Sequence, residues 1–389
     1  MIVAVAVTAL GVLAVGIITQ LFGYRTGGTI AIPVVAVYSL KTVLMLPIFV
    51  LSTLIAYLGL AVVKNRTLIY GRDELLVAMA IGSGVPLVIL VVFSTALPES
   101  LRSVVFIGSI LPGLAAYNYH QIKPEFRRYD LLTTTVLLIV LIGLGWVLVA
   151  PSLSGTLGTL APPVLYSQTA DIAVLKGAVV IEELEPTILE RPVAVVLFLT
   201  GLLFSERIRG RYGVRTGMVA MALLAIYALA NVWLLVLYLA VLGVAYVGLK
   251  TVHYVTLLYG RVLISVATVT ALLVVIPFSL GLPITRGLSA YFVAILAGVN
   301  AYSWHVTAPP QRILFVPLQA GSFLFLVVLT QVVSLVRPAY VPRVFGLPAL
   351  VAMIVAAVVC LAFVEYRTVD LPDQESVFEA SILSGGGEA

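Results

Sequence analysis

The sequence predicts an all-α integral membrane protein with about 13 transmembrane helices, arranged as two parallel six-helix repeats plus one C-terminal helix. Three observations predict it. Of 389 residues 62% are hydrophobic and only 10% charged, against roughly 25% charged in a soluble domain, and mean hydropathy is +1.17. The apolar residues fall in runs of about 20 between short polar loops, the length a bilayer imposes. Hydrocarbon requires every backbone N–H and C=O to be satisfied inside its own segment, so the runs are read as helices; the alternation of roughly ten-residue barrel strands is absent. Finally, several stretches of the first half recur in the second.

The spans fall at 2–22, 28–40, 43–63, 74–96, 103–119 and 130–150, then at 192–205, 216–230, 232–249, 262–280, 288–304 and 313–335, with a lone span at 346–365. The first run lacks a basic leader with a small-residue cleavage site, so it reads as a retained helix and not a signal. The spans 28–40 (Pro33), 103–119 (Pro112, Gly113) and 192–205 are short or interrupted, as tilted, broken or re-entrant segments are. The units are therefore a first repeat over 1–150, an extracytoplasmic acidic linker over 151–191 carrying Asp171, Glu182, Glu183, Glu185 and Glu190, and a second repeat over 192–335. An extra helix over 336–368 and a disordered acidic cytoplasmic tail over 369–389 complete the chain.

Orientation follows from the basic residues. With the N-terminus outside, 15 of the 22 Lys and Arg fall on cytoplasmic loops and 7 outside. Positive charge concentrates inside, so this assigns an N-out, C-in protein of the cell membrane, and the basic excess is not read as nucleic-acid binding.

The repeat rests on ordered matches. Arg25-Thr26-Gly27 recurs as Arg215-Thr216-Gly217, and Val37-Tyr38-Ser39-Leu40 as Ile226-Tyr227-Ala228-Leu229. Thr67-Leu68-Ile69-Tyr70-Gly71-Arg72 recurs as Thr256-Leu257-Leu258-Tyr259-Gly260-Arg261, and the segment Ile110 to His120 as Ile295 to His305. The offsets are 190, 189, 189 and 185, almost one diagonal. Six spans per unit, an even number, make the copies parallel.

Each Tyr-Gly-Arg stands at the cytoplasmic start of a span and admits two readings. Tyr70 and Tyr259 can anchor the interface while Arg72 and Arg261 snorkel to headgroups. Alternatively the paired guanidinium groups bind carboxylates or phosphates bidentately; Arg25 and Arg215 admit the same two readings. Gly113 with Ala116, and Gly298 with Ala301, put small residues three apart on one helix face, which is the spacing of close helix packing. His120 and His305 follow at the ends of these helices, with a role in holding an anionic chain as the functional alternative. With three histidines and one cysteine, Cys360, no metal site is expected. The phosphate loop, the dinucleotide turn and the serine-nucleophile elbow are all absent, so no catalytic residue is assigned.

Phe22-Gly23-Tyr24-Arg25-Thr26-Gly27, Leu68-Ile69-Tyr70-Gly71-Arg72 and Ile110-Leu111-Pro112-Gly113-Leu114-Ala115 resemble, in order, the F-A-E-K-T-G, L-Y-G-R-R and P-G-L-I-A-N segments of the PgsC/CapC family, the small membrane subunit of poly-γ-glutamate synthase. The resemblance covers 1–150 and, more weakly, 192–335, as though two such subunits were fused. The acidic residue before Thr-Gly is missing in the first half, where Gly23 and Tyr24 stand, with Glu206 as its displaced counterpart in the second, and Asp73 or Val262 stands where the turn has its second arginine. The resemblance implies a subunit, non-catalytic alone, of a complex that makes and exports a capsular or extracellular polyanion. Its partner would be an amide ligase of Mur-ligase type holding ATP and Mg, with other export subunits and membrane lipid around it; this chain would carry no cofactor. Arg25, Arg72, Arg215 and Arg261 would receive the polymer's carboxylates. The rival reading is a stand-alone transporter or channel for a small anion or amino acid.

Overall fold

The computed structural model describes residues 1–69, 71–92, 110–181, 188–189, 191–214, 216–336 and 344–369. The helices are α1 (Ile2–Phe22), α2 (Ala31–Lys41), α3 (Met45–Arg66), α4 (Arg72–Val92), α5 (Ile110–His120), α6 (Arg127–Leu148), α7 (Asp171–Lys176), α8 (Arg191–Tyr212), α9 (Met218–Ala230), α10 (Trp233–Thr256), α11 (Arg261–Gly281), α12 (Gly287–Val306), α13 (Arg312–Val336) and α14 (Leu347–Val369). Among the described residues seven of them are long and apolar enough to cross a membrane, namely α1, α3, α6, α10, α11, α13 and α14. The chain is a multi-pass membrane protein. Of the expected tail 369–389, Val369 ends α14 and residues 370–389 lie outside the described residues.

The expected span at 28–40 is shorter than a bilayer needs. Helix α2 has 11 residues, about 16 Å at 1.5 Å per residue, roughly half a 30 Å hydrocarbon core. Pro33 is not the cause, since it sits in the first turn of α2, where no intrahelical N–H partner is needed. The break lies upstream. Gly23 closes α1 in the left-handed conformation, its N–H donating to Thr19 O at 3.0 Å, and Thr26, Gly27 and Gly28 follow with φ of 42°, 64° and 114°. A run of positive φ cannot be helical, so α1 and α2 are joined by unwound backbone. Helix α9, with 13 residues, is the short counterpart in the other half. By contrast, the interruption expected at 192–205 is absent: Arg191–Tyr212 is one helix.

Each half brings its own elements together in the same pattern. Helices α3, α4 and α5 pack on one another, and so do α10, α11 and α12; α2 lies on α6 as α9 lies on α13. Across the halves α1 packs on α11, and α8 on α4. Glycines set the closest approaches. A Cβ at Gly113 would run into Ala78 O and come within 2.5 Å of Met79 Cα on α4, and one at Gly298 within 2.7 Å of Thr268 Cα on α11. Ala116 and Ala301, one turn on, are fully buried.

Buried polar and aromatic contacts join the halves. Thr8 Oγ1 and Tyr291 OH are hydrogen-bonded at 2.6 Å. The ring of Phe292 stands between Tyr38 and Tyr227, with centroids 5.6 and 6.3 Å apart. The segment 151–181 also joins this core. Tyr166, 1% exposed, donates its hydroxyl to Leu148 O at 2.7 Å, and Val164, Leu165, Ala170 and Ile172 are buried with it. Asp171 accepts from the N–H of Val43 at 2.9 Å, tying the segment to the turn between α2 and α3.

Candidate functional site

The unwound stretch after α1 sets the site. Its backbone N–H groups have no ladder, so side chains satisfy them. Asp130, in the first turn of α6 and 0% exposed, accepts at Oδ1 from the N–H groups of Arg25 and Thr26 at 2.7 and 2.8 Å. Asn118, near the end of α5, donates from Nδ2 to Leu114 O at 2.8 Å and to Gly27 O at 3.4 Å. Gly28 must be glycine, because its φ is positive and a Cβ there would sit 2.7 Å from Asn118 Nδ2. A carboxylate and an amide, each on a packed helix, thus pin the loop that presents Arg25.

The second guanidinium comes from the other half. Arg261 opens α11, after Gly260 at φ 68° turns the chain. Its Nη1 donates to Asn118 Oδ1 at 3.0 Å. Arg25, Asp130, Tyr117 and Tyr302 all act electrostatically on Arg261, so these groups share one neighbourhood at the junction of the halves. Burial lowers the Arg25 guanidinium from its ordinary value, while Tyr117 and Asp130 oppose the shift. Two guanidinium groups thus stand beside one carboxylate, and both are half-buried, where charge–charge interaction is stronger than in water. Asp130 Oδ2 and Thr26 Oγ1 are buried with no hydrogen-bond partner among the described residues. The arrangement carries an excess positive charge and presents planar N–H forks, the donor set that fits a carboxylate.

Of the expected residues, Arg25 and Arg261 come together here. Tyr70 and Arg215 lie outside the described residues, as does the side chain of Arg72, whose backbone begins α4. Tyr259 is 83% exposed. His120 bonds Tyr57 O at 2.8 Å and stacks on the Tyr57 ring at 4.2 Å. His305 is hydrogen-bonded to His253, with 2.6 Å between Nε2 and Nδ1. Asp130 and Asn118 are the residues that sequence reasoning passed over. A signal for Asp130 existed, since it is the lone carboxylate at the head of an otherwise apolar run, an arrangement that is costly without a role.

Residues 10–128 match the family described as Capsule biosynthesis CapC. This region is similar to that family, over somewhat less than a third of the chain. No curated protein and no solved structure matches the chain. The CapC match runs from within α1 to the start of α6 and takes in Arg25, Arg72, Gly113 and Asn118; Asp130, just beyond it, and Arg261, in the second half, complete the cluster from outside. The chain is thus a multi-pass membrane protein with a first-half region similar to the CapC family.

Proposed function

We propose that this chain is the membrane subunit of a complex that makes and exports poly-γ-glutamate or a closely similar polyanion, and that Arg25 and Arg261 receive the polymer's carboxylates. The CapC match supports the capsule assignment. The observation that carries the site is the bond from Arg261 of the second half to Asn118 of the first, beside the Arg25 loop. A side chain reaching across the junction makes one binding place from both halves.

The similar helix neighbourhoods of the two halves support a duplicated unit, 1–150 and 192–335, with both copies facing the same way. The bias of basic residues supports an outside N-terminus and an inside C-terminus. Chain elongation would belong to a Mur-ligase-like partner that holds ATP and Mg, and this subunit would anchor it and pass the polymer outward.

The test is secretion. Arg25→Ala, Arg72→Ala and Arg261→Ala are expected to lower secreted polymer about tenfold or more each, as losing a charge-assisted hydrogen bond of roughly 1.5–3 kcal/mol would. Membrane insertion, read by fluorescence-detected size exclusion, stays unchanged. Unchanged polymer in the Arg25 and Arg261 variants removes the proposed role. Uptake of a small anion by the purified chain in liposomes, with no other subunit, replaces it with the transporter reading.

A further inference from the structure

A second basic cluster lies where α10 ends and α12 ends, sharing no residue with the Arg25–Arg261 site. A cleft of about 450 Å³ is lined by Lys250, Thr251, His253, Tyr254, Leu257 and His305. The charges acting on His305 come from His253, Arg312 and Lys250, with no carboxylate among them.

The first half shows what this place looks like when it is neutralised. Tyr57, Lys64 and Glu74 stand 189 residues before Tyr246, His253 and Leu263, and His120 and Gln121 stand 185 before His305 and Val306. In the first half Lys64 pairs with Glu74 at 2.9 Å, and Gln121 donates to the other oxygen of Glu74 at 2.7 Å. Glu74 is 4% exposed, so its charge is fully used within the fold. In the second half Leu263 and Val306 stand at the places of the carboxylate and its amide partner, His253 at the place of Lys64, and Lys250 brings a positive charge where the first half has Ala61.

The hydrogen positions of the histidine pair follow from burial. His305 Nδ1 is buried with no partner among the described residues. A bare acceptor there costs less than an orphaned N–H, so the His305 proton sits on Nε2 and is donated to His253 Nδ1. The remaining N–H of His253 is then on Nε2. That donor and the Lys250 ammonium are a set suited to the two non-bridging oxygens of a phosphodiester. The surroundings are those of a membrane surface: Tyr254, Val255, Leu257 and Tyr259 are 86, 74, 75 and 83% exposed, and aromatic and apolar side chains of this kind sit at the headgroup level.

We propose that Lys250 and His253, with His305 holding the His253 ring through their hydrogen bond, bind the phosphate group of an anionic lipid headgroup. The inference does not depend on the polymer reading, because it concerns the solvation of the second half in its bilayer. The experiment uses the full chain purified in detergent and titrated with phosphatidylglycerol or phosphatidylcholine, bound lipid being counted by native mass spectrometry. Phosphatidylglycerol is expected to be retained in preference to phosphatidylcholine. The Lys250→Gln/His253→Gln double variant is expected to weaken phosphatidylglycerol retention about tenfold, the loss of roughly 1.4 kcal/mol for a charged hydrogen bond. Lys123→Gln, an exposed lysine elsewhere, leaves retention unchanged, and elution as a single folded species qualifies each variant. Equal retention of the two lipids, or equal retention by wild type and the double variant, overturns the proposal. Complete displacement of the lipid by soluble glycerol phosphate also overturns it, assigning the cleft to a free phosphate ester.

Discussion

The chain leaves α1 and α8 in the same way, through a left-handed glycine, Gly23 at φ 71° and Gly213 at φ 67°, and then treats the two loops differently. After α1, Asp130 holds two backbone N–H groups and Asn118 holds a carbonyl. After α8, the position 185 residues beyond Asp130 is Phe315, 1% exposed and stacked on Trp304 with centroids 6.0 Å apart. The amide beside this loop is Asn300, packed against Gly217 and donating to Tyr238 OH at 2.7 Å. The first loop is held by a carboxylate, and the second half has a buried aromatic ring at the corresponding position. A carboxylate inside a membrane bundle is expensive, and it stands where two arginines need it. Similar helix scaffolds thus end in one charged site fed by both halves, and the second half contributes Arg261 to the first half's loop.

Substitutions in the two halves test this difference. The largest effect is expected at the shared scaffold. Gly113→Leu and Gly298→Leu each force a side chain into the backbone of the neighbouring helix, where overpacking costs about 3 kcal/mol. Both should lose most of the folded protein in thermal unfolding followed by size exclusion; loss in only one half would mean the halves do not pack alike. Next comes Asp130→Ala, which leaves two buried N–H groups without an acceptor, at about 2 kcal/mol. Melting temperature and secreted polymer should both fall, and Asp130→Asn, which keeps an acceptor oxygen, should recover most of the melting temperature. If Phe315→Ala lowers polymer per folded molecule as much as Asp130→Ala does, the carboxylate of the first half has no special role. The smallest effects separate the two amides. Asn118→Ala should reduce polymer severalfold by releasing Arg261, whereas Asn300→Ala should cost about 1 kcal/mol of stability with polymer per folded molecule unchanged.

Much of the architecture was legible because its causes are local. A helix in hydrocarbon announces itself by length and hydropathy, and Gly113 and Gly298 by small-residue spacing on one face. The resemblance of the first half to the CapC family needed only short ordered motifs, and the family match covers those same segments. The exact extent of α2 was less legible. Pro33 drew attention as the interruption, but the unwinding lies at Thr26 to Gly28, and the groups that stabilise it, Asp130 and Asn118, are about a hundred residues away in sequence. The linker was legible as acidic, while its apolar residues Val164, Leu165 and Tyr166 gave no pattern showing that they would join the core.

By itself the sequence determined a membrane-embedded helical chain, recurrent motifs in its two halves, and arginines beside glycine turns, because hydropathy, spacing and turn chemistry act over a few residues. Only the tertiary structure decided that Arg261 meets Asn118 across 143 positions, that Asp130 holds the Arg25 loop, and that His253 faces His305. Those contacts depend on which helices become neighbours, and a hydrogen bond between distant side chains leaves no periodic trace in either segment.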